Sequence, residues 1–319
     1  MRILAAIAAA LLAFCATAQA QDYPTRVIRA VVGFPAGSGG DVVARFYADQ
    51  LSKLCGQPVI VEDKPGMISS AGADAVAKSP PDGYTILITP MTSSHAANLF
   101  NFKKLPYDPI KDFSPVATLH KSYFILMVRA DAPWKSVAEL TEAMRQKGNK
   151  ASYGYGSPPA LAAAELYKVR AGLQAVGIPY KTSMASLSEM FSGELDFQFI
   201  DATAGMPLIE GGKLRGLAVT TVQRPPDVDI PPMAEAAKIP EFDIAPVWGV
   251  FLPAGAPAPI VARLEAWFAE IMTSDATRRF LANTHGAPFP GGAKVLADLI
   301  PVEIKKWGEL AKLAKIEPQ

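Results

Sequence analysis

Cysteine is nearly absent from the 319 residues, with only Cys15 and Cys55 present. Cys15 falls in an apolar leader, so Cys55 stands alone, no intramolecular disulfide can form, and stability has to come from a buried core. Histidine is scarce as well. His95, His120 and His285 are scattered, with no His or Cys partner at ligand spacing, so neither a metal nor a cofactor is expected. An excess of one charge is also lacking: 31 basic side chains meet 30 acidic ones without a long run of either, which makes nucleic acid and anionic membrane poor partners. Catalytic and nucleotide motifs fail residue by residue. There is no Gly-x-Ser-x-Gly elbow for a hydrolase nucleophile. Val42 stands where the third glycine of a dinucleotide fingerprint belongs, and Gly212-Lys213 has Pro207 in place of the upstream glycine of a phosphate loop.

Long apolar runs are confined to the start. Arg2 precedes Ile3 to Ala16, which contains no charged residue, and Thr17-Ala18-Gln19-Ala20-Gln21 follows. A short basic start, a stretch too short to span a bilayer and a small-x-small site predict a cleavable signal over residues 1–20, hence export to the periplasm. Phe14 sits where a lipobox needs a small residue, which argues against a lipid anchor at Cys15. The remaining chain of about 300 residues favours two domains.

What the chain does have is Val27 to Asp41, a β-branched run ending in Gly37-Ser38-Gly39-Gly40 directly before an amphipathic helix. A strand, a glycine-rich turn and a helix start leave several N–H groups unpaired around one point, with the helix dipole adding partial positive charge. That is a seat for an anion, or else only a tight turn capped by Ser38 or Asp41. Tyr153-Gly154-Tyr155-Gly156-Ser157-Pro158-Pro159 repeats the theme, with Ser157 as N-cap and Pro158 and Pro159 serving the helix start rather than contact.

Hydrophobic periodicity predicts strands at Val27–Phe34, Gln57–Glu62 and Thr85–Thr89 alternating with helices at Val42–Leu54 and Ala71–Ala77. This β-α-β-α-β order asks for a parallel sheet with helices on both faces. Leu105 to Pro115 reads as a connection. Strands at Tyr123–Val128, near Ser152, and at Gly177–Tyr180, Phe197–Ile200 and Gly216–Thr220 repeat the architecture, with helices at Val137–Gln146, from Ser157 onward and at Ser186–Phe191. A strand at Val247–Leu252 and helices at Pro259–Met272, Ala276–Asn283 and Lys294–Leu313 return to the first unit. The expected organisation is α/β with two doubly wound lobes around a hinged cleft: residues 21–122 with 224–319 form one lobe, and 123–223 form the inserted second. Ligands of open α/β sheets sit beyond the carboxyl ends of the strands. The cleft would then be lined by Phe34 to Asp41 (Ala36, Gly37, Ser38, Gly39 and Gly40 included), by Met91, Thr92, Ser93 and His95, by Tyr153 to Ser157, and by the loop after Ile200. His95 reads equally as a ligand contact and as a hydrogen-bonded core histidine. Phe34, Tyr153, Tyr155 and Trp248 supply aromatic walls for a ligand with an apolar body and an anionic end.

Short motifs run through the mature chain in one order: Tyr23-Pro24, Gly33 to Asp41, Gly56-Gln57-Pro58-Val59, Glu62 to Gly66, Pro81-Asp82-Gly83-Tyr84-Thr85, Lys104-Leu105-Pro106-Tyr107-Asp108, Pro179-Tyr180-Lys181, Gly211 to Arg215, Leu217 to Thr220 and Leu252 to Pro257. In these the chain resembles the extracytoplasmic solute receptors of tripartite tricarboxylate transporters, the Bordetella-uptake-gene type. The resemblance implies a type II periplasmic-binding-protein fold, a non-enzymatic receptor that closes over an organic acid and delivers it to membrane permease subunits; a monomer is expected because a hinged receptor must leave its cleft edges free. It also implies a carboxylate held through backbone amides and ordered water at two glycine-rich loops, without an arginine clamp. Carried over, the first loop is Phe34 to Asp41, the second is Tyr155, Gly156 and Ser157, and Tyr180, Asp201 and Ala202 complete the site. The sequence departs from the family pattern at Tyr155, Pro158, Ala160, Thr182 and Ala202, where Asn, Ser or Thr, His, Gly and Asn are common. Those changes make the second lobe less polar, and point away from citrate or an amino acid toward an aromatic or aliphatic mono- or dicarboxylate. Two alternatives stand beside transport: a carboxylate sensor for a membrane signalling partner, and a secreted hydrolase using Ser38 or Ser157 with His95.

Overall fold

The computed structural model describes residues 23–67, 69–225, 228–240 and 242–318. The expected signal at residues 1–20 lies outside the described residues. The chain builds two sheets. The first holds β1 (Ile28–Val32), β2 (Val59–Asp63), β3 (Thr85–Pro90), β4 (Phe113–Lys121), β10 (Val247–Pro253) and β11 (Ala287–Gly292), in the order β11-β4-β10-β3-β1-β2. The second holds β5 (Phe124–Arg129), β6 (Ser152–Tyr155), β7 (Val176–Pro179), β8 (Phe197–Asp201) and β9 (Leu214–Val219), in the order β7-β6-β8-β5-β9.

The predicted parallel unit is present, since β1 pairs in parallel with both β2 and β3. Both sheets are nonetheless mixed. β10 runs antiparallel to β3 and β4, and β5 runs antiparallel to β8 and β9. Two strands escape the periodicity reading. β4 overlaps the proline-rich Leu105–Pro115 stretch that reads as a connection, and β11 carries Pro288, Pro290, Gly291 and Gly292. It is an edge strand with a register shift, where missing N–H groups are tolerated.

Helix α1 (Gly39–Cys55) shows how local chemistry fixes the boundaries. Ser38 caps its start, Val43, Ala44, Tyr47, Ala48 and Leu51 form one buried face, and Gly56 ends it at φ 71°. Helix α2 (Ser70–Ala77) follows β2. After β3 comes a fully buried π-helical segment, Thr92–Ala97, and a single turn α3 (Asn98–Asn101), neither of which the sequence signals. The second sheet is covered by α4 (Val137–Lys147), α5 (Pro158–Ala171), α6 (Leu187–Ser192) and α7 (Ala202–Glu210). Of these, α7 was expected to be a loop, because Gly205 and Pro207 mask its pattern. A single turn α8 (Met233–Ala236), then α9 (Ala258–Thr273), α10 (Asp275–Thr284) and α11 (Ala293–Leu313) complete the chain.

Each sheet buries apolar side chains on both faces. Ile28, Val32, Ile86 and Val250 pack under α1 and α9, while Val31, Leu87 and Phe251 pack on the other face. Helix α11 joins the two units. Leu296 and Ile300 belong to the core of the first sheet, whereas Trp307 and Leu310 belong to the core of the second. Ala96 and Ala97 of the π-helical segment also enter that second core.

Candidate ligand-binding cleft

The chain crosses between the sheets at Ser122 and again before β10, and the two crossings are tied by a hydrogen bond from Ser122 N–H to Pro246 O at 2.9 Å. Beside them lies a cavity of about 90 Å3, walled by both lobes.

The first wall is the β1–α1 loop. Gly33 is dictated by space, because a methyl group there would lie 2.2 Å from Ser69 O. Gly37 turns the chain at φ 77° and donates its N–H to Asp41 Oδ2 at 2.7 Å. Ser38 Oγ donates to Pro35 O and accepts from Asp41 N–H. Asp41 is itself paired with Arg45 Nε at 2.7 Å. Burial pushes its carboxyl upward, but Arg45 and the Gly37 N–H outweigh this and hold it below the ordinary range. Asp41 therefore braces the loop from behind and, like Ala36 and Gly37, does not line the cavity; Phe34, Ser38, Gly39 and Gly40 do. Neither Gly39 nor Gly40 donates its N–H to another backbone group, as the first turn of a helix requires. The ring of Phe34 lies where a methyl on Gly40 would be 2.4 Å from it, and leans toward Trp248 at 6.3 Å between centroids. Trp248 is stacked in turn on His120, whose Nδ1 meets Tyr47 Oη at 3.0 Å.

At the end of β3 the expected residues separate. Ser93 lines the cavity, but Met91, Thr92 and His95 are fully buried elsewhere. The His95 ring stacks on Phe251 at 3.9 Å, its Nδ1 lies 2.8 Å from Ser94 Oγ, and burial lowers its pKa to about 3. It is a neutral core histidine and supplies no base to Ser38 or Ser157.

On the second lobe Gly156 and Ser157 line the cavity, while Tyr153, Tyr155 and Tyr180 do not. Tyr153 packs on Phe197 in the core and donates its hydroxyl to Glu165, and burial pushes that phenol upward. Tyr155 packs against the same core. Tyr180 donates to Glu189, its pKa raised to about 12 by burial and that carboxylate. Ala160 and Ala202 are also fully buried off the cavity, so of the five departures from the family pattern only Thr182 lines it. Of the two prolines assigned to the helix start, Pro159 does line the wall. Gly156 is irreplaceable: a methyl there would meet Ser183 N and Thr182 C at 2.2 Å.

Among the described residues Asp201 is the one charged side chain on the wall, and no lysine, arginine or histidine lines it. It caps α7 and accepts from Thr203 N–H at 3.0 Å. Burial raises its pKa, against the pull of the Thr203 hydrogen bonds. Away from the crossings, α7 also meets α10 and the residue that follows it through Thr203 Oγ1, 3.4 Å from Thr284 O, and through Glu210 and His285 at 3.8 Å. Sequence reasoning missed Ser122 and Pro246 at the crossings, Phe124, Thr203 and Ala204 beside Asp201, and the Thr182–Met184 turn. The crossings carried the available signal, since a residue passing from one sheet to the other lies beside the space between them. Among the described residues no group of three His, Cys, Asp or Glu side chains gathers to hold a metal, and no helix is long and apolar enough to cross a membrane.

Comparison with known proteins agrees with this geometry. The family model of the tripartite tricarboxylate transporter family receptor matches residues 43–316. A protein of Pseudomonas sp. (strain P51), described as the UPF0065 protein in the tcbD-tcbE intergenic region, is 34% identical over 315 residues, covering 97% of this chain and 93% of that one. The structure of R. palustris Rpa4515 with adipate superposes with a TM-score of 0.88 at 33% identity, covering 93% of this chain and 100% of the other. MatC (Rpa3494) from Rhodopseudomonas palustris with bound malate gives 0.83 at 28% identity, covering 90% and 99%. By fold, by sequence and by the cleft between its two sheets, the chain belongs to the receptor family of tripartite tricarboxylate transporters, a family of periplasmic solute-binding proteins.

Proposed function

We propose that this protein captures a small organic carboxylate, with an aromatic or aliphatic body, in the interlobe cavity and delivers it to the membrane subunits of a tripartite tricarboxylate-type transporter. One observation carries the reading. Gly39 and Gly40 at the start of α1 line a cavity that, among the described residues, no cationic side chain lines, and the N–H group of neither is used by another backbone group. Fixed N–H groups and a helix dipole are what a carboxylate needs where there is no arginine. Phe34, Ser38, Gly39, Gly40, Ser93, Gly156, Ser157, Asp201 and Trp248 are the contacts we assign to it. The bound acids of two similar receptors, adipate and malate, support the ligand class. The chain acts as a monomer in the periplasm and as a carrier, not an enzyme. Ligand binding would stabilise the closed lobes, and the closed form would dock on the permease.

The test is thermal unfolding of the mature protein, refolded to remove retained ligand, against aliphatic and aromatic mono- and dicarboxylates. A ligand of the folded state adds about 2.7 kcal/mol at a hundredfold excess over its Kd, a rise of a few degrees in Tm. A shift with an acid and none with its amide supports the reading; no shift with any acid refutes it.

A further inference from the structure

The cavity has one soft side. Among the described residues that line it, Met184 alone is exposed, at 41%, so its side chain has one face on the cavity and another in solvent, at the mouth. Val43, Phe124, Pro159 and Trp248, which also line it, are buried, and close-packed groups of that kind hold a fixed shape.

The backbone beneath Met184 is firmly held. Gln198 of β8 is fully buried, and its amide grips the turn at two points: Nε2 donates to Ser183 O at 3.2 Å, and Oε1 accepts from Ser186 Oγ at 2.7 Å. Ser186 Oγ also lies 2.7 Å from Ser183 O, and Thr182 Oγ1 accepts the Ala185 N–H at 3.2 Å. From the other side Gly156 leaves no slack, since a methyl group there would meet Ser183 N and Thr182 C at 2.2 Å. A buried amide is tolerated only when it is hydrogen-bonded, and Gln198, between Phe197 and Phe199 in a core strand, directs both of its amide atoms at this one turn. The result is a rigid backbone with an adaptable tip, because methionine is unbranched and polarizable.

We infer that Met184 is the specificity-determining side chain of the cavity, lying over its mouth and limiting the length of the ligand's apolar body, and that Gln198 is the positioning residue that fixes the turn carrying it. The inference rests on the carboxylate reading above and deepens it. An acid whose body stops short of Met184 gains roughly fourfold in affinity for each further methylene it buries. One that reaches Met184 must push the thioether toward solvent or extend into water itself, and the gain ends there.

Isothermal titration at neutral pH with three homologous series decides it: butanoate to decanoate, succinate to sebacate, and benzoate to 4-pentylbenzoate. In the native protein, affinity in at least one series is expected to pass through a maximum. Met184→Ala should move that maximum toward longer acids by roughly two or three methylenes, the reach of the side chain removed. A side chain that mattered only for folding would weaken every acid alike and leave the maximum in place. Gln198→Met, which keeps the approximate volume and removes both hydrogen bonds, should flatten the profile, so that acids one methylene to either side bind within roughly twofold of the best. Where Gln198→Met fails to fold, Ser186→Ala, which takes one hydroxyl from the same grip, is read in its place. Affinity that climbs without a maximum in the native protein, or a maximum that Met184→Ala leaves unmoved, would overturn the role of Met184. A native length profile in the Gln198 or Ser186 variant would overturn the role of Gln198. The receptor reading survives both of these results, whereas silence across all three series would refute the carboxylate reading itself.

Discussion

Gly39 and Asp201 face each other across the cleft: a methyl group on Gly39 would lie 3.8 Å from Asp201 Oδ1 and 3.7 Å from Thr203 Cβ. The positive end of α1 thus confronts a partly buried carboxylate capping α7, with room between them for little more than a methyl group. Whatever anion sits on Gly39 also sits in the field of Asp201.

That relationship makes binding depend on pH. Burial holds Asp201 above the usual carboxylate range, and a bound anion would raise it further, so binding takes up a proton wherever Asp201 is ionised. Above the range in which the ligand's own carboxylate takes up a proton, affinity is expected to fall as pH rises through the raised pKa. The same sign governs stability: the protonated group's contribution is complete below the unfolded-state pKa and is lost as pH rises through the folded one. Titration calorimetry from about pH 4 to 8 should show the slope in the native protein and its loss in Asp201→Asn. Two parallel profiles would remove Asp201 from the site's electrostatics.

Gly156→Ala and Gly39→Ala separate a steric role from a binding role. The Gly156 methyl would meet backbone of Thr182 and Ser183 at 2.2 Å, so the second-lobe turn must shift. A loss of about 1–3 kcal/mol in urea unfolding and weaker ligand binding are expected. The Gly39 methyl meets only ordinary contacts, and stability should move by no more than about 0.5 kcal/mol. A stable Gly156→Ala variant with native affinity would show that the close approach of these two segments is not needed.

Much of this was legible in the sequence. Val31 and Leu51 sit where their periodicities place them, and Ser38, Gly56 and Ser157 cap helices as their residue types predict. The failures have local causes. Pro115 and Pro207 hide elements whose stability comes from tertiary packing. Tyr153 reads as a wall residue because it flanks a glycine-rich turn, yet alternation along β6 sends it into the core, and of the two readings open for His95 the π-helical winding after β3 selects the core histidine. Residues near a cleft in sequence face it only when the pleat or helix phase allows, and Ser122, brought there by a chain crossing, has no local signal at all.

The two deeply buried histidines should make the protein acid-sensitive before its carboxylates titrate. Burial lowers both His95 and His120 to about 3. For a base with a depressed folded pKa, stability is complete above the unfolded value near 6.5 and declines as pH falls toward the folded one. Unfolding free energy should drop by about 1.4 kcal/mol per pH unit for each histidine over that window. Replacing His120 with Gln should remove one share of the slope. It should also loosen Trp248, seen as a shift in its fluorescence, because His120 stacks on the indole with an interplanar angle of 10°. An unchanged slope would mean that the imidazole is not held neutral by the fold.

Helix α11 offers the sharpest test of how the lobes are joined, because its first half is buried in one core and its second half in the other. Trp307 anchors the second half and donates Nε1–H to Glu303 Oε2 at 3.0 Å. Burial raises the Glu303 pKa, with Lys306 and the indole N–H opposing it. Trp307→Phe keeps an aromatic ring, though a smaller one, and takes from the buried Glu303 carboxylate its hydrogen-bond donor, and should cost about 1–3 kcal/mol. Adding Glu303→Leu removes the stranded group, so the double variant should lose less than the sum of the single changes, with a coupling of about 0.5–3 kcal/mol. Additive losses would mean that Trp307 acts by packing alone, in which case Trp307→Ala, at about 3–5 kcal/mol, would measure nearly everything it contributes.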